Sequence, residues 1–249
     1  MSADATPAPR WADPDMSVGL HNKDLAGSTL RILEGGTWKK QETVILLPAA
    51  KLVPMKAALS WMNLLTPPNQ SAPRFPTVAL LGMEVGDAYS QAIEQVLSHP
   101  QLKDHKFILT IEHDNVVPSD GLLKLIARME AHPELACIGG LYWTKGYGGV
   151  PQIWGDKRDP VMNFRPQPPD PKGGLVECWG TGMGFNLWRT EMFRDPRLRK
   201  PWFKTICGAD GVGTQDLYAW ADLQKHGYRC AVDCSVLVGH YDLAGDICW

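Results

Sequence analysis

The sequence predicts an α/β domain in which a mostly parallel, twisted sheet is flanked by helices on both faces. Two observations carry this: short β-branched or aliphatic runs alternate with stretches of helical period, and the reactive side chains cluster just after the runs. The first run is Thr43-Val44-Ile45-Leu46-Leu47-Pro48, a buried strand with a proline stop. Val53 to Leu65 follows with apolar residues at helical spacing, ended by Thr66-Pro67-Pro68-Asn69. Thr77 to Leu81 is the next strand, Gly86 to Leu97 a helix, and Phe107 to Ile111 a strand. Ser119 to Ala131 reads as a helix capped by Ser119, and Ala136 to Tyr142 as another strand. From Thr144 to Gly174, glycines and prolines without a sustained period predict a long loop beside the site. Leu175 to Trp179 resumes a strand, and Gly180, Gly182 and Gly184 then alternate, allowing a backbone or ligand to approach closely. Thr214 is placed to cap a helix stopped by Gly227, and Arg229 to Asp242 reads as a strand pair.

Residues 1–40 are rich in Pro, Asp and Gly and read as a partly irregular N-terminal arm with a short strand at Thr29 to Leu33; residues 41–249 form the domain. A hydrophobic share of 44% and a charged share of 21% are ordinary for a globular protein. The net charge of −2 leaves no global footprint for nucleic acid, although a few Lys or Arg can still contact phosphates. Lys and Arg gather between Arg189 and Lys204, which reads as a solvated face. Six cysteines without paired C-x-x-C knuckles read as free thiols in a reducing, cytoplasmic setting. No window has the length of a membrane span, and no apolar leader is seen.

The most informative stretch is Ile111-Glu112-His113-Asp114-Asn115, where an apolar strand runs into acidic residues. On an extended backbone Glu112 and Asp114 project to the same side, and two hard oxygen ligands there suit Mg²⁺ or Mn²⁺. A solvated turn is the plainer account of the same residues. Asp216, in the first turn of the late helix, has a plain account too, since the helix dipole favours an acid there. His240 closes the last strand pair. The G-x-G pattern at Gly180-Thr181-Gly182 lacks the register of a dinucleotide fingerprint.

Taken together, Ile111-Glu112-His113-Asp114, Trp179-Gly180-Thr181-Gly182, Thr214-Gln215-Asp216 and Val238-Gly239-His240 resemble the family 2 nucleotide-sugar glycosyltransferases of GT-A fold, over about Thr43 to Asp242. The resemblance implies that Glu112 and Asp114 stand at the D-x-D positions that hold a divalent metal, Mn²⁺ or Mg²⁺, against the donor diphosphate. It implies His240 as a further metal ligand and Asp216 as the general base of an inverting transfer. Gly180 and Gly182, which let a ligand approach closely, and Trp179 beside them, which offers an aromatic face to a sugar or base, read as donor contacts. The chain differs in having Glu112 for the first Asp, Gln215 for the acid before Asp216, and no arginine in Gly86 to Ser90. The implied partners are a nucleoside diphosphate sugar and an acceptor hydroxyl on a glycan, a protein, a small metabolite or a hydroxylated DNA base, the last as in some phage-type relatives. Acidic residues with a histidine also serve a nucleotidyltransferase or a metal-dependent phosphohydrolase, and Gln215 suits a non-catalytic glycan- or nucleotide-binding module.

Overall fold

The computed structural model describes residues 42–65, 76–208 and 211–249, all within one compact unit. The N-terminal arm, the strand expected at Thr29 to Leu33 and the helix stop at Thr66 to Asn69 lie outside the described residues.

Strand β1 (Thr43–Ala49) leads through helix α1 (Met55–Met62) to β2 (Thr77–Leu81), α2 (Val85–Ser98) and β3 (Phe107–Ile111). After β3 come the two-residue β4 (Asn115–Val116), α3 (Gly121–Ala131) and β5 (Leu135–Leu141). The chain continues as β6 (Ile153–Asp156), β7 (Leu175–Thr181), β8 (Phe185–Arg189) and a 3₁₀ turn over Thr190–Arg194. A small hairpin, β9 (Ile206–Gly208) and β10 (Gly211–Gly213), precedes α4 (Gln215–Lys225), β11 (Arg229–Leu237), β12 (Gly239–Asp242) and β13 (Ile247–Cys248).

Eight strands form one sheet in the order β2-β1-β3-β8-β5-β11-β7-β6. β1, β2, β3, β5, β6 and β11 run one way, and β7 and β8 run against them. The expected mostly parallel sheet is therefore present with two reversed strands, and one of them, β8, sits in the middle.

Side-chain alternation divides the core into two layers. Val44, Leu46 and Ile108 face α2 and α4, joining Tyr89, Ile93, Val96 and Trp220. Ile45, Phe107, Leu109 and Ile111 face the opposite way, against Leu122, Leu125, Ile126 and Met129 of α3. β3 and β5 are buried along their whole lengths, as a strand covered on both faces must be. Trp188 of β8 stacks on Trp220 with ring centroids 5.0 Å apart, tying the sheet centre to α4.

Three local expectations change. The helix expected to be capped by Ser119 starts at Gly121, with Asp120 at the cap position making no side-chain cap bond. A Cβ on Gly121 would lie 2.9 Å from the Phe185 ring, so close packing on β8 selects this residue. The stretch Thr144 to Gly174 is not strandless, because β6 pairs with β7 inside it. Its alternation is hidden by Gly155, which takes φ +77° and whose notional Cβ would fall 1.9 Å from the Asn163 carbonyl oxygen. The basic run Arg189 to Lys204 is not simply a solvated face: Arg189 donates to the carbonyls of Met129 and Leu135, Arg197 pairs with Asp195 and Arg199 donates to Tyr218. The six cysteines are free. Among the described residues no helix is long and apolar enough to cross a membrane.

Candidate functional site

The site lies beyond the carboxyl ends of β3 and β5, where open α/β sheets hold their ligands. β3 stops at Ile111, and the Asn115 amide donates to the Glu112 carbonyl at 3.1 Å, closing Glu112-His113-Asp114-Asn115 into a turn. Glu112 and Asp114 are thus not on an extended backbone as expected. They are nevertheless within electrostatic reach, since the Asp114 carboxylate raises the cost of ionising Glu112.

β12 brings the distant histidine to this turn. It pairs antiparallel with β4, His240 opposite Asn115, and the Tyr241 amide donates to the Asp114 carbonyl at 2.8 Å. On its other side, His240 exchanges backbone hydrogen bonds with Trp249 at 3.0 and 3.1 Å. The His240 Nδ1 lies 2.8 Å from the Trp143 carbonyl, which can only accept, so Nδ1 carries the proton. Nε2 is thereby turned toward Asp114, 3.5 Å from Oδ2. The same Oδ2 accepts from the Lys145 ammonium, which comes from the loop after β5. Burial works to raise the Asp114 pKa, but hydrogen bonds from His240 and Lys145 and their charges outweigh it, and the carboxyl is held well below its ordinary range.

Glu112 behaves oppositely. Burial first, then the Asp114 and Asp216 carboxylates, push its pKa up to about 8, with Lys145 acting in the other direction. Asp216 reaches the same region from the first turn of α4 and is only 7% exposed. Its carboxylate accepts from the Leu217 amide at 2.8 Å and from the Thr214 hydroxyl. Burial still outweighs these bonds and raises its pKa. A solvated helix-start acid is stabilised by the dipole; Asp216 is instead a desolvated carboxyl.

Two buried tyrosines complete the floor. Tyr89 of α2 and Tyr142 after β5 both have pKa values pushed well up, first by burial and then by the surrounding carboxylates. The alternate glycines explain how Tyr142 fits. A Cβ on Gly182 would lie 2.3 Å from the Tyr142 hydroxyl and 2.5 Å from Gln152 Oε1, and one on Gly184 would lie 2.7 Å from Asn115 Oδ1. The Gly184 amide donates to the Tyr142 hydroxyl at 2.9 Å.

The sequence-predicted residues thus divide. Asp114 and His240 come together, with Glu112 and Asp216 in electrostatic range. The space over Gly180 is taken by Trp220 and Phe164, and that over Gly182 by Tyr142 and Gln152. Trp179 donates its indole N–H to the Asp156 carbonyl at 2.8 Å, with the Lys157 ammonium 3.4 Å over its ring, so β6 is its partner. Lys145, Tyr89 and Tyr142 carry no local motif. Lys145 had one available signal, a lysine in the glycine-rich Thr144-Lys145-Gly146-Tyr147-Gly148-Gly149 loop beside a strand end.

Among the described residues no three His, Cys, Asp or Glu side chains converge as a ready-made ion cage. What the site offers a cation is one ionised carboxylate and one imidazole nitrogen facing each other. That donor set fits a divalent ion whose remaining ligands come from a substrate or water.

No family model matches the sequence, and no curated protein matches it. Solved structures do resemble it. A197 from STIV aligns with a TM-score of 0.57 at 18% identity, over 81% of this chain and 86% of that one. A GalNAc-T7 crystallised with UDP, GalNAc and Mn²⁺ aligns with a TM-score of 0.54 at 13% identity, over 82% of this chain and 45% of that one. At these identities the likeness speaks for the fold, and the described domain is a mixed α/β, GT-A-like domain with a large central sheet flanked by helices.

Proposed function

We propose that the protein is a metal-dependent glycosyltransferase that moves a sugar from a nucleoside diphosphate sugar to an acceptor hydroxyl with inversion. The observation that carries the proposal is the facing pair of Asp114 Oδ2 and His240 Nε2, 3.5 Å apart, beside the buried carboxyl of Asp216. The GT-A-like fold supports it, as does the Mn²⁺ and UDP of a structurally similar GalNAc-T7.

In this reading Asp114 and His240 hold Mn²⁺ or Mg²⁺, which supplies Lewis-acid stabilisation of the departing diphosphate. Glu112, with its pKa near 8, is protonated at neutral pH and serves as a hydrogen-bond donor to the donor's phosphate or ribose, joining the ion's shell only if it ionises. Asp216 takes the acceptor's proton. Its raised pKa brings it nearer working pH, which strengthens a carboxylate as a base. The tyrosine floor keeps water from beneath the reacting centre. Trp179, Gly180 and Gly182 act behind this constellation, Gly182 by admitting Tyr142.

The test is a panel of nucleoside diphosphate sugars incubated with the protein, with Mn²⁺ or with chelator, and analysed for the released nucleotide. Metal-dependent release of a nucleoside diphosphate supports sugar transfer or its hydrolytic side reaction. Release of a nucleoside monophosphate or of pyrophosphate shifts the assignment to phosphohydrolase or nucleotidyltransferase chemistry, and binding without release to a non-catalytic module. The best donor is then offered glycan, protein, small-molecule and hydroxylated-DNA acceptors.

A further inference from the structure

Lys145 has a place in this site that the metal reading alone does not explain. Its ammonium donates to Asp114 Oδ2, the oxygen that His240 Nε2 also faces, and it is the group that lowers the ionisation cost of Glu112. With Nδ1 bonded to the Trp143 carbonyl, His240 turns Nε2 toward the same carboxylate oxygen as the ammonium. Whenever Nε2 carries no proton, two electron-rich atoms at that separation need a cation between or beside them, and the lysine supplies it. A divalent ion bound by Asp114 and His240 would meet the ammonium at like-charge distance, where both cannot keep the same oxygen.

The loop that carries Lys145 can let it go. Gly146 and Gly148 take φ values of +98° and +78°, and nothing lies within 4 Å of a Cβ built on either. Tyr147 between them is 96% exposed and touches the rest of the fold edge-on at Trp249, with ring centroids 5.2 Å apart. The loop base is anchored, since the Thr144 and Val150 amides bond across it at 2.9 Å each. Lys145 therefore sits beside the fixed root of a loop whose tip meets little packing, with its Nζ already at the site.

The geometry points to Lys145 as a charge-exchange residue: it holds Asp114 before the ion arrives, is displaced by it, and then binds the diphosphate as a positioning and charge-stabilising group. A lysine is suited to this, being a compact point charge on a flexible stem that accepts a new phosphate partner without a fixed fork geometry. The inference rests on the sugar-transfer reading for its metal and its diphosphate.

The test is calorimetric titration of the full chain with Mn²⁺ alone, and with pyrophosphate at saturating Mn²⁺, for wild type, Lys145→Met and Lys145→Arg. Lys145→Met keeps the stem and removes the competing charge, so Mn²⁺ alone should bind about tenfold tighter while pyrophosphate binds about tenfold weaker. Lys145→Arg keeps the charge and should bind Mn²⁺ as weakly as wild type, which a mere loop disturbance would not reproduce. Unchanged or weaker Mn²⁺ binding in Lys145→Met overturns the exchange, as does unchanged pyrophosphate binding. If no protein binds Mn²⁺ with or without pyrophosphate, the metal-dependent reading itself falls, and the exchange with it.

Discussion

Replacing Glu112 by Gln should make the protein more stable, by an amount that grows with pH. In the folded protein the carboxyl titrates at about 8 against an ordinary value of 4.5. The fold thus favours the protonated acid. Its contribution is fully present below pH 4.5 and is lost as pH rises through 8. At 1.36 kcal/mol per pKa unit, the wild type gives up about 3 kcal/mol by pH 7 and about 5 kcal/mol by pH 8.5, relative to a side chain that stays neutral. Such losses are large against a typical total of about 5–15 kcal/mol. Glutamine keeps the shape and cannot ionise. Urea unfolding of both proteins at pH 4, 5.5, 7 and 8.5 in chelator measures the difference: near zero at pH 4, opening steadily to pH 8.5. A difference that does not vary with pH would refute the argument that burial and the neighbouring carboxylates hold this acid neutral. Mn²⁺ should narrow the gap at high pH, because a cation on Asp114 and His240 favours the ionised Glu112.

Asp114→Ala should abolish metal-dependent donor binding in calorimetric titration while leaving thermal unfolding cooperative, since the residue lies in a turn and not in the core; unchanged affinity and metal dependence would contradict its role. Asp216→Asn should lower transfer by about 10²–10⁴-fold with little change in donor affinity, read under conditions where chemistry limits the rate. Near-normal turnover would return Asp216 to a structural role. Gly182→Ala should cost about 1–3 kcal/mol in urea unfolding, because its Cβ would press on the Tyr142 hydroxyl and Gln152; a silent substitution would mean that Tyr142 has room to move.

What could be read in advance followed local pattern. The runs at β1, β3 and β5 are apolar enough to announce strands, and the glycine and proline punctuation around α2 and α4 marks real ends. Ser119 misled because its cap signal is local, whereas the start of α3 is decided by the fit of Gly121 against Phe185 in β8. β6 went unseen because Gly155 interrupts the alternation that periodicity depends on. The same distinction holds at the site. Asp114 and His240 are legible as partners because each ends an apolar run with a ligating side chain. Lys145, Tyr89 and Tyr142 are not, because what brings them to the carboxylates is sheet order and glycine clearance, and neither is written in the residues themselves. Glu112 reads from the sequence as half of a like-sided pair on a strand; the turn closed by Asn115 alters that geometry and leaves it a half-buried acid.

The reversed strand at the centre of the sheet has a consequence for how the candidate site is assembled. β8 separates β3 from β5, yet it is synthesised after both, and Trp188 reaches Thr110 across 78 residues of chain. The neighbours on either side cannot settle into final register until this late segment threads between them, so its insertion is a long-range closure of the kind that slows folding. Gly182 to Gly184 lead directly into β8 and seat Tyr142. Until β8 is in place Tyr142 has no settled seat beside Glu112, and Asp216 and His240, which follow β8 in the chain, cannot complete the site. Substitutions in β8 should accordingly slow refolding more than they hasten unfolding, and the reactive site should mature last, in a single step with the sheet.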